Sequence, residues 1–319
     1  MFTDLKIALR QLSRSPGFTL TAIVTLALAI GANALVFAVM NALVLRPLPV
    51  PRAASLYAAE RQDELTISYP NYVDLRDRNR SFEGLAAYAM FGSVLDKGND
   101  AAQATAAEIS GNYFDVLEIR PYLGRFFHAA DEHGPNSVPY IVLSYAYWNT
   151  RFQGNRGVIG RTVLVNKHPF TVIGVAPTEF HGAILFFAPD YFVPLIDSPE
   201  VNGWDGLTDR GNRWVLQALG HLKPGVTPAQ AVEDLGGVEA YLEKAYPKEV
   251  GHRSVVLSRP GLMGSFIGKP AGEFMAGLMM LAGLILLAAC ANLGSLFAAR
   301  AADRSRRWRC GWLWARAGS

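Results

Sequence analysis

FTLTAIVTLALAIGANALVFAVMNALVL, residues 18–45, carries no charge, and the uncharged run around it fills all 31 positions between Arg14 and Arg46. As a helix rising about 1.5 Å per residue it would be about 45 Å long. A hydrocarbon core of about 30 Å needs roughly 20 apolar residues, so this run spans it with length to spare. A second run, FMAGLMMLAGLILLAACANLGSLFAA at 274–299, fills the 26 positions between Glu273 and Arg300. Charge-free stretches of this length are rare in soluble cores. The chain therefore reads as a membrane protein, with two transmembrane α-helices flanking one large domain at 46–273. A cleaved leader is the competing reading of the first run, with Lys6, Arg10 and Arg14 as its basic region. An apolar leader segment is only about 7–15 residues long, and this run is twice that.

Charge orients the two spans. Residues 1–14 hold three basic residues and one acid, and residues 300–319 hold six arginines and one acid. That leaves 21 basic and 25 acidic residues for 46–273, a mildly acidic middle between two basic ends. Basic residues close to a span stay on the cytoplasmic side, whereas a loop longer than about 60 residues crosses largely regardless of its charge. Both termini are expected in the cytoplasm and the domain outside it. The formal charge of +3 is thus a sum of unlike parts and gives no reason to expect nucleic acid as a partner. The two cysteines, Cys290 and Cys310, both lie outside the large domain, so no disulfide framework holds it. At 228 residues it is long enough to bury a core without one.

Residues 1–17 read as a basic amphipathic helix lying on the cytoplasmic leaflet. Leu5, Ala8, Leu9 and Leu12 share one face, with Lys6, Arg10 and Arg14 on another. RPLPVPR (46–52) is a stiff exit from the first span. SYPNYVDLRDRNR (68–80) predicts a helix capped by Ser68, with Asp74, Asp77 and the arginines facing outward. VPYIVLS (138–144) predicts a strand. TVLVNKHPFTVIGVA (162–176) predicts a hairpin turning at Asn166-Lys167. RWVLQALGHL (213–222) predicts a strand with Trp214, Leu216, Ala218 and Leu222 on one face. In KPGVTPAQAVEDL, Thr227, Pro228 and Gln230 form a capping box that starts a helix. Its apolar stripe is Val232, Leu235, Val238, Leu242 and Ala245, and Tyr246-Pro247 ends it. The domain is mixed α and β.

Chemistry is sparse. His128, Asp131, Glu132 and His133 are the densest titratable cluster, but no known ligand spacing matches them, and H-E-x-x-H is absent. They read as a polar loop ahead of Gly134-Pro135. Gly154, Gly157 and Gly160 do not form G-x-G-x-x-G and read as turn residues. There is no phosphate-binding G-x-x-x-x-G-K-[ST] and no G-x-S-x-G. His168, His181 and His221 stand alone and read as surface or strand-edge residues. The aromatic run 144–148 reads as packing rather than a groove. No cofactor, metal or catalytic residue is expected, and the chain is not expected to be an enzyme. Within the spans, Asn33, Asn41 and Asn292 are expected to hydrogen-bond across helix interfaces. Gly31 with Ala27 or Ala34, and Gly277 with Gly283, offer small surfaces for close contact with another copy or with spans from elsewhere.

Taken together these segments resemble a family. DLKIALRQLSRSPGFT, IGANALVFAVMNALVLRPLP, SYPNYVDLRDRNRSFEGLAAY, ISGNYFDVLEIRPYLGRFF, VLSYAYWNTRF, VIGRTVLVNKHPFTVIGVAP, LKPGVT and LLAACANLGSLFAARAA are similar to MacB-type, FtsX-like ABC transporter permeases. The similarity runs from near residue 3 to about 305. It implies a bacterial inner-membrane protein with a periplasmic core domain of mixed α/β (α+β) subdomains. It further implies a separate ABC ATPase partner, pairing as a homodimer or with a related permease, and transmission of motion rather than a channel. The domains implied are a cytoplasmic helix at 1–17, spans at 18–45 and 274–299, a core domain at 46–273 and a basic tail at 300–319. A membrane-anchored binding or sensor module working without an ATPase is the alternative.

The family continues after its second span with a charged segment and two further spans. Here the chain reads RSRRWRCGWLWARAGS (304–319). Trp308, Cys310, Trp312 and Trp314 all have codons beginning TG. When TG instead ends each codon, each becomes Leu, Met or Val. Arg309 can then supply Ala, Gly311 gives Arg or Trp, Leu313 gives Ala or Val, and Ala315 forces Gly. That frame can read M-A-V-R-L-A-L-G-A-G-R, the family's continuation. Residues from about 306 are therefore expected to be frameshifted and the permease truncated.

Overall fold

The computed structural model describes residues 16–41 and 48–316, apart from Asp63, Leu65, Asn99, Phe186, Trp204, Trp214, Leu216, Arg253, Leu262 and Met263. Most of the expected interfacial helix, and Trp214 and Leu216 of an expected strand, lie outside the described residues. The chain divides into two units, one of residues 1–45 with 271–319 and one of residues 46–270.

The first unit holds the apolar helices. Helix α1 is Pro16–Met40. Within it Thr19–Met40 is long and apolar enough to cross a membrane, as is Gly268–Ser295 further along the chain. Asn33 Nδ2 donates to Ala29 O and, at 2.9 Å, to Ala282 O of the second apolar helix. Ala29, Ala282, Ala289 and Leu293 are buried along this seam. The contact is thus made within the chain and by alanines. Gly31, Gly277 and Gly283, expected to meet another copy or spans from elsewhere, take no part in this contact: a side chain added at any of them would meet nothing within 4 Å. Alanine already permits close approach while keeping the helix propensity that glycine lacks.

Among the described residues the second unit is built on ten strands. The elements run β1 (Leu56–Arg61), α2 (Tyr69–Arg78), β2 (Ala86–Asp96), β3 (Ala101–Ile109) and α3 (Tyr113–Val116). Next come β4 (Leu123–Gly124), β5 (Tyr140–Leu143), α4 (Tyr145–Arg151), β6 (Thr162–Val165), β7 (His168–Val175), β8 (Tyr191–Pro194) and α5 (Ser198–Asn202). The last are β9 (Gln217–His221), α6 (Pro228–Ala245) and β10 (Val255–Ser258); α7 (Gly264–Arg316) follows, and from residue 271 it belongs to the first unit and holds most of the second apolar stretch. Sheet order is β10-β1-β9-β2-β3-β8-β5-β7-β4, with β6 pairing both β2 and β7. Those last pairings close a circuit, β2-β3-β8-β5-β7-β6, in which each strand bonds to the next and β6 returns to β2. A closed circuit leaves no free edge along those strands.

The long β2–β3 hairpin belongs to both halves. Its inner end joins the open sheet, where α6 and an aromatic cluster of Tyr113, Phe114, Phe126, Phe180 and Phe192 fill the first core. Its outer end contributes Leu95, Ala104 and Ala106 to the second core, with Ile141, Val163, Phe170, Val172 and Tyr191 of the circuit. Each large side chain so buried contributes about 1.5–3 kcal/mol.

Local signals hold well. Ser68 Oγ caps α2 by accepting from Asn71 N, and the Thr227–Gln230 box caps α6. Asn166 and Lys167 turn the β6–β7 hairpin with φ of 47° and 77°, the left-handed pair that a two-residue hairpin requires. The 144–148 run is helix α4 rather than a continuation of the strand, capped by Ser144, with Tyr147 and Trp148 in the second core. Gly154 and Gly160 have φ of 65° and 84° and serve turns. Three expectations need correction. The stripe of α6 is Ala231, Leu235, Val238, Glu239 and Leu242, while Ala245 is exposed in the last turn. Asp74 does not face freely outward: it accepts from Arg78 and Arg210 at 18% exposure. His221 is neither on the surface nor at an edge, because β9 lies between β1 and β2 and leaves it 2% exposed.

Candidate functional site

Strand β1 follows the first apolar run and β10 precedes the second, and the two strands are neighbours. They pair antiparallel, Ala58 with Ser258 through Arg61 with Val255, while β9 pairs the other side of β1. Three polar groups fasten this strand pair.

The first lies at the entry to β1. Arg52 has φ of 48°, and its guanidinium reaches two carboxylates. It donates to Glu83 at 2.7 and 3.0 Å and to Glu118 at 2.5 and 3.1 Å. These hydrogen bonds hold both carboxyls below the usual range and hold the guanidinium charged. One turn on, Ser55 Oγ donates to Arg52 O and sits 2.8 Å from His221 Nδ1. With the hydroxyl proton committed to the carbonyl, Nδ1–H of the imidazole is the donor. Burial, then Arg52, lower the His221 pKa, consistent with a neutral ring; its Nε2 has no partner among the described residues.

The second lies where the chain leaves β10. Arg259 donates to Ala54 O at 2.7 Å and to Leu56 O at 3.1 Å, and lies 4.0 Å over the Tyr57 ring. One side chain just after β10 thereby grips the backbone at the start of β1.

The third runs beneath β1. Arg61, 1% exposed, forms a two-point ion pair with Glu239 of α6, 3% exposed, at 2.9 and 2.7 Å. Beside it Glu60 accepts from Gln217 Nε2 at 2.7 Å and from Ser258 Oγ, and Gln217 Oε1 accepts from Tyr88 at 2.6 Å. β1 is therefore bonded through side chains to β10, β9, β2 and α6. The arrangement has the chemistry of a rigid joint, although Arg61 Nη1 makes no hydrogen bond among the described residues and lies 3.8 Å from a Glu64 oxygen.

The titratable loop singled out in the sequence is structural. Asp131 accepts from His128 N, Glu132 accepts from Gly111 N, and His128 Nδ1 meets Asp115 at 2.9 Å. Among the described residues no three His, Cys, Asp or Glu side chains converge to hold a metal. His168 and His181 are exposed, as expected. Two further buried carboxylates escaped the sequence. Glu108 accepts from Ser198 Oγ at 2.6 Å and Asn202 Nδ2 at 2.7 Å. Asp197 accepts from Val138 N at 3.3 Å through one oxygen, and its other oxygen has no partner among the described residues. Burial pushes its pKa up to about 7. Nothing in the spacing of Arg52, Glu83, Glu118 and Arg259 marks them as partners; the one local hint was that Arg52 closes the proline-rich exit.

A family model described as the MacB-like periplasmic core domain matches residues 19–238, more than half of the chain. Among solved structures the chain is similar to the periplasmic region of MacB from Actinobacillus actinomycetemcomitans, with a TM-score of 0.50 and 15% identity over 73% of this chain and 95% of that one. It is also similar to the extracellular domain of the noncanonic ABC-type transporter YknZ from Gram-positive bacteria (TM-score 0.45, 14% identity, 64% and 99% covered). A domain of a permease protein from Porphyromonas gingivalis gives a TM-score of 0.47 at 16% identity, with 66% and 92% covered. A search of curated proteins gave no match. At these identities the first likeness bears on fold alone, and the family rests on the family match. Permeases of this kind are components of ABC transporter systems that include a partner ATPase, and are not themselves the enzyme. With two apolar helices flanking a mixed α/β unit of this fold, the chain belongs to the MacB-like periplasmic core domain family and is an ABC transporter permease component of the inner membrane with a periplasmic domain.

Proposed function

We propose that this permease, in its unshifted form, transmits the motion of a separate cytoplasmic ATPase, which binds ATP in trans, to its periplasmic unit, for efflux or export. The observation that carries this reading is the β1–β10 pair. Segments continuous with both spans enter the periplasmic unit on hydrogen-bonded neighbours, and Arg259 ties one to the other. A displacement of either span is delivered to a single stiff strand pair rather than to separate loops. Both termini are cytoplasmic, as their basic residues favour. A second copy or a related permease supplies further helices. Asn292, exposed on α7 within an apolar stretch, supports this, because an amide facing lipid is costly without a partner. The domain limits are those of the sequence reading, with the core at 46–273 and the tail at 300–319.

Residues from about 306 are the product of a shifted frame, as the TG codons of Trp308, Cys310, Trp312 and Trp314 support. The segment displaced is the one the ATPase would dock on. The test uses two forms, the 319-residue chain and a form with the alternative frame restored after residue 306, each co-expressed and purified with ABC ATPases of the same genome. The restored form is expected to co-purify with an ATPase and change its rate of ATP hydrolysis, and the 319-residue chain to do neither. Failure of both forms to bind would sink the transmission reading. An alternative frame without two further apolar spans would sink the frameshift.

A further inference from the structure

Away from the strand pair, the outer end of the second core carries a cleft of about 240 Å³. It is lined by Lys97 at the β2–β3 tip, Arg151 and Phe152 at the end of α4, and Arg161 at the start of β6, above Val158 and Val163. Val158 and Val163 are 0% and 2% exposed and belong to the second core, so the floor is fixed in place. The rim holds three cations. Among the described residues one carboxylate pairs with them: Asp100 meets Lys97 at 3.0 Å and Arg151 at 3.4 Å. Arg161 makes no ion pair among the described residues; its Nε donates to Gly157 O at 3.0 Å, which orients the guanidinium without neutralising it. Lys97 also donates to the backbone Arg151 O at 2.9 Å, which ties its ammonium to the end of α4. A concave, low-dielectric wall with an excess of one sign concentrates the opposite charge. Guanidinium groups suit planar or tetrahedral oxyanions, and the half-buried ring of Phe152 offers an apolar surface beside them.

We infer that this cleft is a binding site for a small oxyanion, a carboxylate or phosphate, carried on or beside an apolar group. The volume is below the roughly 300–1,000 Å³ of sites for drug-sized ligands, so the ligand is small, or is the anionic end of a larger one. The site does not depend on coupling to an ATPase.

The test is isothermal titration of the full chain in nanodiscs with three probes: inorganic phosphate, N-acetylphenylalanine and the uncharged N-acetylphenylalanine amide. At least one anion is expected to bind, the amide not to bind, and the affinity to fall with added salt. Arg161→Gln is expected to weaken the anion about tenfold or more by removing a charged partner. Because Arg161 is exposed, the variant should keep the parent melting temperature, which separates lost binding from lost folding. Lys97→Gln should act in the same direction. Phosphate binding as tightly as the amino acid assigns the site to free phosphate. Tighter binding of N-acetylphenylalanine assigns it to carboxylates with an apolar flank. Absence of binding by both anions, equal binding of the amide, or no effect of either substitution overturns the inference. None of these results depends on the ATPase, so failure here and failure of the transmission reading are distinguishable.

Discussion

Asp197 is a carboxylate that folding holds in its neutral form. Its side chain is 1% exposed, one oxygen accepts a long hydrogen bond from Val138 N, and burial raises its pKa from 3.8 to about 7. Between pH 4 and 7 the folded protein therefore keeps a proton that the unfolded chain has lost. The contribution of Asp197 to stability is greatest at the acid end of this window and falls as pH rises through it, by up to about 4 kcal/mol, while carboxylates held low, such as Glu83 and Asp131, act in the opposite direction. Glu132, also raised by burial, adds in the same direction. Asp197→Asn keeps the acceptor for Val138 and removes the titration. Its melting temperature is expected to exceed that of the parent at pH 7 and to change less between pH 4 and 7. Parallel pH profiles for the two proteins would refute the assignment. Asp197 was invisible in the sequence because nothing local tells a buried aspartate from an exposed one. Ser68 and Thr227 were visible because a cap is satisfied by a backbone amide three residues away.

Helix α6 shows where local pattern stops. Its start, its end and the buried positions Leu235, Val238 and Leu242 follow from spacing alone. Glu239 lies on the same buried face, and by residue type it reads as solvated. Its partner Arg61 is 178 positions away, and only the packing of α6 against the sheet brings them together. An ion pair buried this deeply gains little over an apolar pair, but breaking it leaves one charge stranded. Glu239→Ala is expected to destabilise the periplasmic unit by about 3–5 kcal/mol, read as a lower melting temperature. The double variant Arg61→Met, Glu239→Leu is expected to recover most of the loss. If the single variant melts with the parent, α6 does not hold β1 in the way described. His221 follows the same logic: a histidine at the end of a strand reads as exposed until β1 and β2 are known to flank it.

For the whole molecule, the orientation in the membrane is the outcome to test. Asp205 is exposed in the periplasmic unit. In a background with the other cysteines replaced, Asp205→Cys is expected to react with a membrane-impermeant maleimide added to intact spheroplasts. Cys310, kept as the single cysteine, is expected to react only after lysis. The reverse pattern would invert the topology. The sequence by itself determined the two apolar crossings, the helix caps, the Asn166-Lys167 turn and the family. Each depends on residues adjacent in the chain, where length, periodicity and backbone conformation act without a partner. Tertiary structure alone decided that β1 and β10 are neighbours, that Arg259 grips the start of β1, that Arg61 finds Glu239, and that Lys97, Arg151 and Arg161 share a cleft. Those depend on strand order, and strand order is set by which apolar faces bury one another across the chain rather than by any residue's immediate neighbours.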